Sequence, residues 1–387
     1  MTGATRLGRP EARRRAPDGP VRLLLVGHDL HGRGTERSVV RLLQNFDRSV
    51  VEPVLALVHA RGEFLADVPA DVPVREIAPG AQRTSGALRQ VVRLVASEKP
   101  DCVLGIHTSP SRLVALARLT RPRTPVICWE PDPFRRVEGD KGGYALRRAV
   151  TAATHRLASV VLCPSDVVAD EVARELWLAR DDVVVLPHPS VDAAVLEGAT
   201  EPATEPPFGE GRPVIVNVGN MHEHKSQRDL LEAFADVRSR RECSLVVIGK
   251  GPLEAELRAR AAELGVAADV HFYGFRANPF KYVAAADAFA SSATSEGFDI
   301  SQVEAMACGT PVVVTDSPRY RVVEAERTGL LVPPGRPQEL ARALDRLLDD
   351  PALVRRLTEA ARVRARDLDA ATVTRAYENL VLKVAGR

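Results

Sequence analysis

The chain has 387 residues, 45% hydrophobic and 27% charged, and carries a net charge of +2. That balance argues against a dedicated nucleic-acid surface, and the length is more than one ordinary core and comfortable for two. No apolar run approaches the roughly 20 residues of a membrane span, and the five cysteines, Cys102, Cys128, Cys163, Cys243 and Cys308, are scattered and odd in number, as reduced thiols in a cytosol would be.

Residues 1–20 are rich in Arg, Pro and Gly without an apolar centre, so they read as a disordered basic tail and not a signal peptide. "VRLLLVGH" (Val21–His28) is a buried-strand run, followed by the loop "DLHGRG" and a helical pattern from Thr35 to Phe46. Strand-like runs recur in "VEPVLALVH", "DVPVREI", "DCVLGIH", "TPVICW", "ASVVLCP" and "DVVVLP", with helix-length segments between most of them. The Pro- and Gly-rich stretch Glu197–Pro213 reads as an interdomain linker. The alternation restarts at "VIVNVG" (Val214–Gly219) and runs through "CSLVVIG", "DVHFYG", "DAFASS" and "PVVVTD"; from Arg336 on the pattern is helical. The expected organisation is a tail at 1–20, a first domain at 21–196, a linker at 197–213, a second domain at 214–368, and a C-terminal helix at 369–387 that could pack back on the first domain. The expected fold class is α/β: two Rossmann-like doubly wound parallel-sheet domains facing across a cleft, with ligands at the carboxyl ends of the strands.

One stretch, "SEGFDISQVEAMACGTPVVVTD" (Ser295–Asp316), carries chemistry. A helix is expected to start near Asp299 or Ile300, with Asp299 or Ser301 as its cap. The turn Gly297-Phe298-Asp299-Ile300-Ser301 then becomes a candidate anion seat, because the first amides of a helix lack partners and carry partial positive charge. Glu304, one turn into the helix, can accept two hydrogen bonds from a vicinal diol such as a ribose, and Glu296 lies before the helix on the other side of the seat. Phosphates in the middle and polar groups at both ends outline a nucleotide-sugar. The simpler alternative is a helix whose first turn happens to be acidic, which the helix dipole also favours.

The same stretch closely resembles the E-x7-E signature of the retaining family-4 glycosyltransferases, which have the GT-B fold. "EGFDISQVEAMACGTPVVVTD" follows the family's Glu-Gly-Phe, Glu-Ala-Met-Ala, Gly-x-Pro-Val-Val pattern. "VVEAERTGLLVPPG", "VNVGNMHEHKSQRDLLEAF" and "LVVIGKGPLEAELRARAAELGVAADVHFYGF" are similar to other segments of its donor domain. The resemblance implies that Glu296 lies beside the donor sugar, that Glu304 holds the ribose, and that Phe298 to Ser301 contact the diphosphate and sugar. It also implies that Lys225 neutralises the diphosphate. In the loop "GRGTERS", Gly34 and Glu36 fit the family's phosphate-side pattern, while Arg33 occupies its first glycine position. Departures are Asn220, where an arginine usually joins the lysine on the donor, and Ser226, where a glycine usually follows it. "PVICWEPDPF" offers Glu130 and Asp132 in place of a sugar-proximal histidine, and His107 matches another polar position. His107 and Glu130 are therefore expected to join Glu296 in catalysis, and Glu130 and Asp132 to meet the acceptor.

Glu130 and Asp132 could also be read as hard ligands for a divalent cation, but the resemblance is to a metal-independent fold, so no metal and no cofactor are expected; the nucleoside-diphosphate sugar is a co-substrate. "RRAVTAATHRLA" (Arg147–Ala158) fits either a solvated helix face or a peripheral contact with an anionic membrane. The resulting expectation is a retaining hexosyl-type glycosyltransferase using a nucleoside-diphosphate sugar, most simply a UDP-sugar. Its acceptor would be the hydroxyl of a small molecule, glycan or glycolipid. It would act in the cytoplasm of a bacterium, free or at the inner face of the membrane, without nucleic acid. The alternatives are a nucleotide-sugar-binding scaffold without transfer activity and, further off, a nucleotide-sugar epimerase.

Overall fold

A computed structural model describes residues 19–77, 87–134, 143–295, 297–316 and 322–387. Nearly all of the basic tail, and Glu296, lie outside the described residues. The chain divides into two compact units, one running to Pro189 and resuming at Ala370, the other Ser190–Asp369.

The first unit is built on seven parallel strands: β1 (Val21–Gly27), β2 (Val51–Leu57), β3 (Val74–Glu76), β4 (Cys102–Ile106), β5 (Val126–Trp129), β6 (Val160–Cys163) and β7 (Val183–Val185), in the order β3-β2-β1-β4-β5-β6-β7. The second has six: β8 (Val214–Val218), β9 (Ser244–Ile248), β10 (Val270–Gly274), β11 (Ala288–Ser291), β12 (Val312–Thr315) and β13 (Leu330–Val332), in the order β10-β9-β8-β11-β12-β13. The Val, Leu and Ile runs leave most strands buried throughout, as in sheets covered on both faces. In each sheet the order reverses beside its first strand, between β1 and β4 and between β8 and β11. Successive crossover helices leave on opposite faces there, and the loops after those two strands part. His28 and His107 follow the two strands at the first reversal; Gly219 and Ser292 follow those at the second.

The ends of β8 and β9 are drawn together by backbone. Gly219 donates its N–H to Ile248 O at 2.9 Å, and Gly249, at φ +145°, comes so close that a Cβ there would lie 2.1 Å from Gly219 O. Only glycine meets both conditions.

One expectation about boundaries is revised, and one strand is added. The stretch 197–213 belongs to the second unit. Phe208 is buried against Tyr282, ring centroids 5.6 Å apart, and the Tyr282 hydroxyl donates to Glu205 at 2.6 Å. Tyr273 donates to Pro206 O, so the prolines fix a packed strap and the unit boundary falls at Pro189–Ser190. The strand β13 was not expected either; three residues are too few for a period to show.

The helices Pro337–Asp349 and Pro351–Arg366 complete the second unit, and Ala370–Ala385 packs in the first, against the helix Gly34–Asn45 and β1. Tyr377 anchors it beside Trp129, ring centroids 5.6 Å apart, and donates to Pro187 O at 3.3 Å; Glu378 accepts from the Asp47 N–H at 2.6 Å. The five cysteines are free thiols.

Candidate functional site

In the second unit, the loop after β8 folds into a short turn, Glu223–Lys225, ahead of the helix Gln227–Arg238. Lys225 lies along the backbone of Gly219. The loop is tied to the one after β11. Ser292 Oγ donates to the carbonyl of Ser226 at 2.8 Å and to that of Lys225 at 3.1 Å, and the Thr294 N–H donates to His224 O at 2.9 Å. Asn220 receives a hydrogen bond from Gln227 Nε2 on its carbonyl. Ser226 takes left-handed backbone, φ +49°, which explains why glycine is at ease there; its hydroxyl donates to Asp229 at 3.0 Å.

Across the reversal, Asp299 is the N-cap of the helix Ile300–Cys308, as the cap pattern predicts. Its Oδ1 accepts from the Ser301 hydroxyl at 2.6 Å and the Ser301 N–H at 3.2 Å. Its Oδ2 accepts from Gln302 Nε2 at 3.2 Å, Ser291 Oγ at 3.3 Å and Lys225 Nζ at 3.5 Å. Burial alone would raise the Asp299 pKa; the charge of Lys225 and the bonds from Ser301 outweigh it and hold the carboxyl below its ordinary value. Gly297 leads into this cap, Phe298 and Ile300 anchor the turn in the core, and Glu304 is 7% exposed one turn on. The structure therefore brings Lys225, Asp299, Ser301 and the start of Glu304's helix to one reversal point.

The corresponding point of the first unit carries different chemistry. Asp29, buried after β1, accepts from His28 Nδ1 at 2.9 Å, and its other oxygen lies 3.0 Å from His31 Nδ1 and 3.1 Å from Arg33. Burial would raise its pKa, but these partners hold it well below the usual carboxylate range. Arg33 stands just before Gly34, the first residue of its helix, and also pairs with buried Glu36 at 2.8 Å. Glu36 Oε1 lies 3.2 Å from His107 Nε2, and His107 Nδ1 is 3.8 Å from Asp132. Burial would lower the His107 pKa; the Glu36 hydrogen bond and the two carboxylate charges more than reverse this and raise it. His107 holds φ +68° and ψ 162°, a conformation most residues avoid, at the mouth of the helix Thr108–Ala117.

Glu130 departs from expectation. It is 2% exposed, with Thr108 Oγ1 donating to one carboxylate oxygen at 2.6 Å and His155 Nε2 lying 2.8 Å from the other. It does not project toward an acceptor. Its N–H still donates to Leu162 O at 2.8 Å, continuing the β5 ladder, so its side chain keeps the inward phase of the strand. Asp132, beyond Pro131, escapes the ladder and reaches the His107 side. Asp29 and His155 were missed in the sequence; the only signal was the pattern His-Asp-x-His at 28–31. Among the described residues no group of three or more His, Cys, Asp or Glu is arranged to hold a metal ion.

Residues 201–364 match the model of glycosyl transferases group 1, and residues 32–192 that of glycosyltransferase family 4. The chain is similar to the alpha-D-kanosaminyltransferase of Streptomyces kanamyceticus, 30% identical over 59% of this chain and 60% of that one. It is also similar to the N-acetylgalactosamine-N,N'-diacetylbacillosaminyl-diphospho-undecaprenol 4-alpha-N-acetylgalactosaminyltransferase of Campylobacter jejuni, 32% over 42% of this chain and 44% of that one. The chain spans about half the length of the curated relatives it matches. Among solved structures, Anabaena Alr3699/HepE in complex with UDP-glucose superposes with a TM-score of 0.78 at 19% identity, covering 94% of this chain and all (100%) of that one.

The His107 arrangement makes a pH prediction. A histidine whose folded pKa is raised adds stability that is complete below the unfolded value of about 6.5, and that is lost as pH rises through its folded value. Glu36→Gln removes its hydrogen-bonded carboxylate. The variant is expected to lose less melting temperature than the wild type as pH rises from about 6.5 through the raised folded value, measured by thermal unfolding across a pH series. Equal slopes for the two proteins would show that Glu36 does not hold the His107 proton.

Proposed function

Because the chain belongs to the family-4 glycosyltransferases of the GT-B fold, we propose that it moves a sugar from a nucleoside-diphosphate sugar, a UDP-sugar first of all, to an acceptor hydroxyl with retention of configuration. The observation that carries this reading is the meeting of Lys225 with the capped helix start at Asp299, where the second sheet reverses its order. In this reading Lys225 and the helix start stabilise the negative charge that grows on the diphosphate as the glycosidic bond breaks. The Lys225–Asp299 contact is the longest of the Asp299 bonds, and Asp299 keeps Ser301, Gln302 and Ser291 as donors when Lys225 turns to a phosphate. Moving the cation therefore leaves no buried carboxylate oxygen stranded.

Phe298 to Ser301 line the diphosphate side, with Gly297 and Asn220 beside it as the family pattern has them. Glu304 accepts from the ribose hydroxyls, and Glu296 faces the sugar. The departing phosphate takes the acceptor proton, so the front-face reaction calls for no separate base and no metal. In the first unit, His107 and Asp132 orient the acceptor, and Glu130 serves as a buried tie between β5 and His155. The HepE complex with UDP-glucose and the relatives named for sugar transfer to diphospho-undecaprenol-linked and 2-deoxystreptamine substrates support this class of donor and a polyhydroxyl acceptor. Asn220 in place of the usual arginine favours a second reading, a subunit that binds nucleotide-sugar without transferring it; measuring donor cleavage alongside nucleotide binding separates the two, since a scaffold binds but does not cleave.

Lys225→Ala is expected to weaken UDP binding about ten- to a hundred-fold, the worth of a hydrogen bond to a charged group, as read by calorimetric titration. Unchanged affinity would take Lys225 out of the donor site. Glu304→Gln is expected to raise the donor dissociation constant with little change in turnover, because the ribose is the same in ground and transition states, whereas Glu296→Gln lowers turnover at the reacting sugar. Steady-state kinetics on both variants checks this, and the opposite split would exchange their roles.

A further inference from the structure

Solvent-facing sides of helices are normally polar. The helix Tyr144–His155 in the first unit is the opposite: its exposed positions are Ala145, Leu146, Ala149, Val150 and Ala153, with no charge among them. At its far end two neighbours bring further apolar groups to the surface. Arg118, at the end of the helix Thr108–Ala117, donates to Leu157 O and carries exposed Leu119 with it; Trp177, capping the helix Asp166–Leu176, accepts from Arg156 on its carbonyl and lies under the Arg148 guanidinium at 4.2 Å. Leu146 is 70% exposed, Leu119 64%, Trp177 53% and Val150 45%. A patch of this kind on a well-packed unit marks something it meets.

The charge around it says what. Residues 102–129 and 143–182, which supply the three helices and their flanks, contain nine arginines against six Asp and Glu, and of these acids Asp166 and Asp170 pair with Arg180 while Glu171 is buried. Glu175 comes to this region buried, held by Tyr144 and Arg148. Leucine, valine and tryptophan projecting from an arginine-rich surface match a bilayer interface, where apolar side chains enter the headgroup boundary and arginines pair with anionic lipid. Among the described residues no helix is long and apolar enough to cross a membrane. We propose that the face formed by Leu119, Leu146, Val150 and Trp177 with the surrounding arginines docks this protein peripherally on an anionic lipid bilayer. The inference does not rest on sugar transfer and concerns a face separate from the Lys225–Asp299 site.

The chain carries its own reporter: of its two tryptophans, Trp129 is fully buried and Trp177 is exposed. The full chain is mixed with vesicles of phosphatidylcholine alone or with phosphatidylglycerol added. The expected result is a blue shift of tryptophan emission and co-sedimentation with the phosphatidylglycerol vesicles only, weakened by salt. Leu146→Ser with Val150→Ser is expected to abolish both signals while UDP binding is kept. Arg123→Gln should weaken vesicle binding about five-fold, the share of one arginine near an anionic surface. No binding to phosphatidylglycerol vesicles overturns the proposal. So does binding that the double variant leaves intact, or concentration-dependent self-association that buries Trp177 without lipid, which would make the face a protein interface.

Discussion

Lys225 and Asp299 are 74 residues apart in the chain and meet because the second sheet reverses its order between β8 and β11. The loops after those strands have to diverge, and the gap left at their roots has to be closed by something. Here it is closed by the Ser292 hydroxyl on the carbonyls of Lys225 and Ser226, by Thr294 on His224, and by a cation on a helix cap. Ser292 and Asp299 are buried, so for them losing a partner is costly. The N-cap sets where the helix Ile300–Cys308 starts, the helix sets the depth of Glu304, and the glycine at 249 lets its own backbone close on that of Gly219, along which the lysine lies.

The first unit has the same topology and a different answer. Its reversal point gathers three histidines, an arginine and three carboxylates in alternating pairs, from His28 through Asp29, Arg33 and Glu36 to His107 and Asp132. Such a set places hydrogen-bond donors and acceptors side by side in one network. A cation beside a helix start suits a diphosphate; a chain of carboxylates and imidazoles suits a polyol. The proposed division of labour between the units rests on these side chains, not on the strand order about the reversal, which the two sheets share.

Much of this could be read from the residues. Val-, Leu- and Ile-rich runs bounded by glycine and proline mark buried parallel strands, and Asp299 followed by Ser301 and an apolar run marks a capped helix. What escaped did so for identifiable reasons. Glu130 and Asp132 look equivalent in "WEPD", yet one stays in phase with β5 and is buried while the other passes Pro131 and leaves it. The partner that decides the matter, His155, lies 25 residues on and has no local signature. The strap at 197–213 reads as a linker because proline and glycine dominate it, whereas Phe208, Glu205 and their two tyrosine partners fasten it down. For the segment Arg147–Ala158 the residues left a solvated helix face and a membrane contact both open, because Leu, Val and Ala look the same in sequence whether they face a core or the solvent.

The central claim is that the reversal point of the second sheet holds a nucleoside diphosphate. A crystal structure of the chain with UDP tests it most directly. The account predicts the diphosphate at the start of the helix Ile300–Cys308, with Lys225 Nζ turned from Asp299 to a phosphate oxygen and the ribose hydroxyls on Glu304. A diphosphate bound elsewhere, with Lys225 still on Asp299, would contradict it.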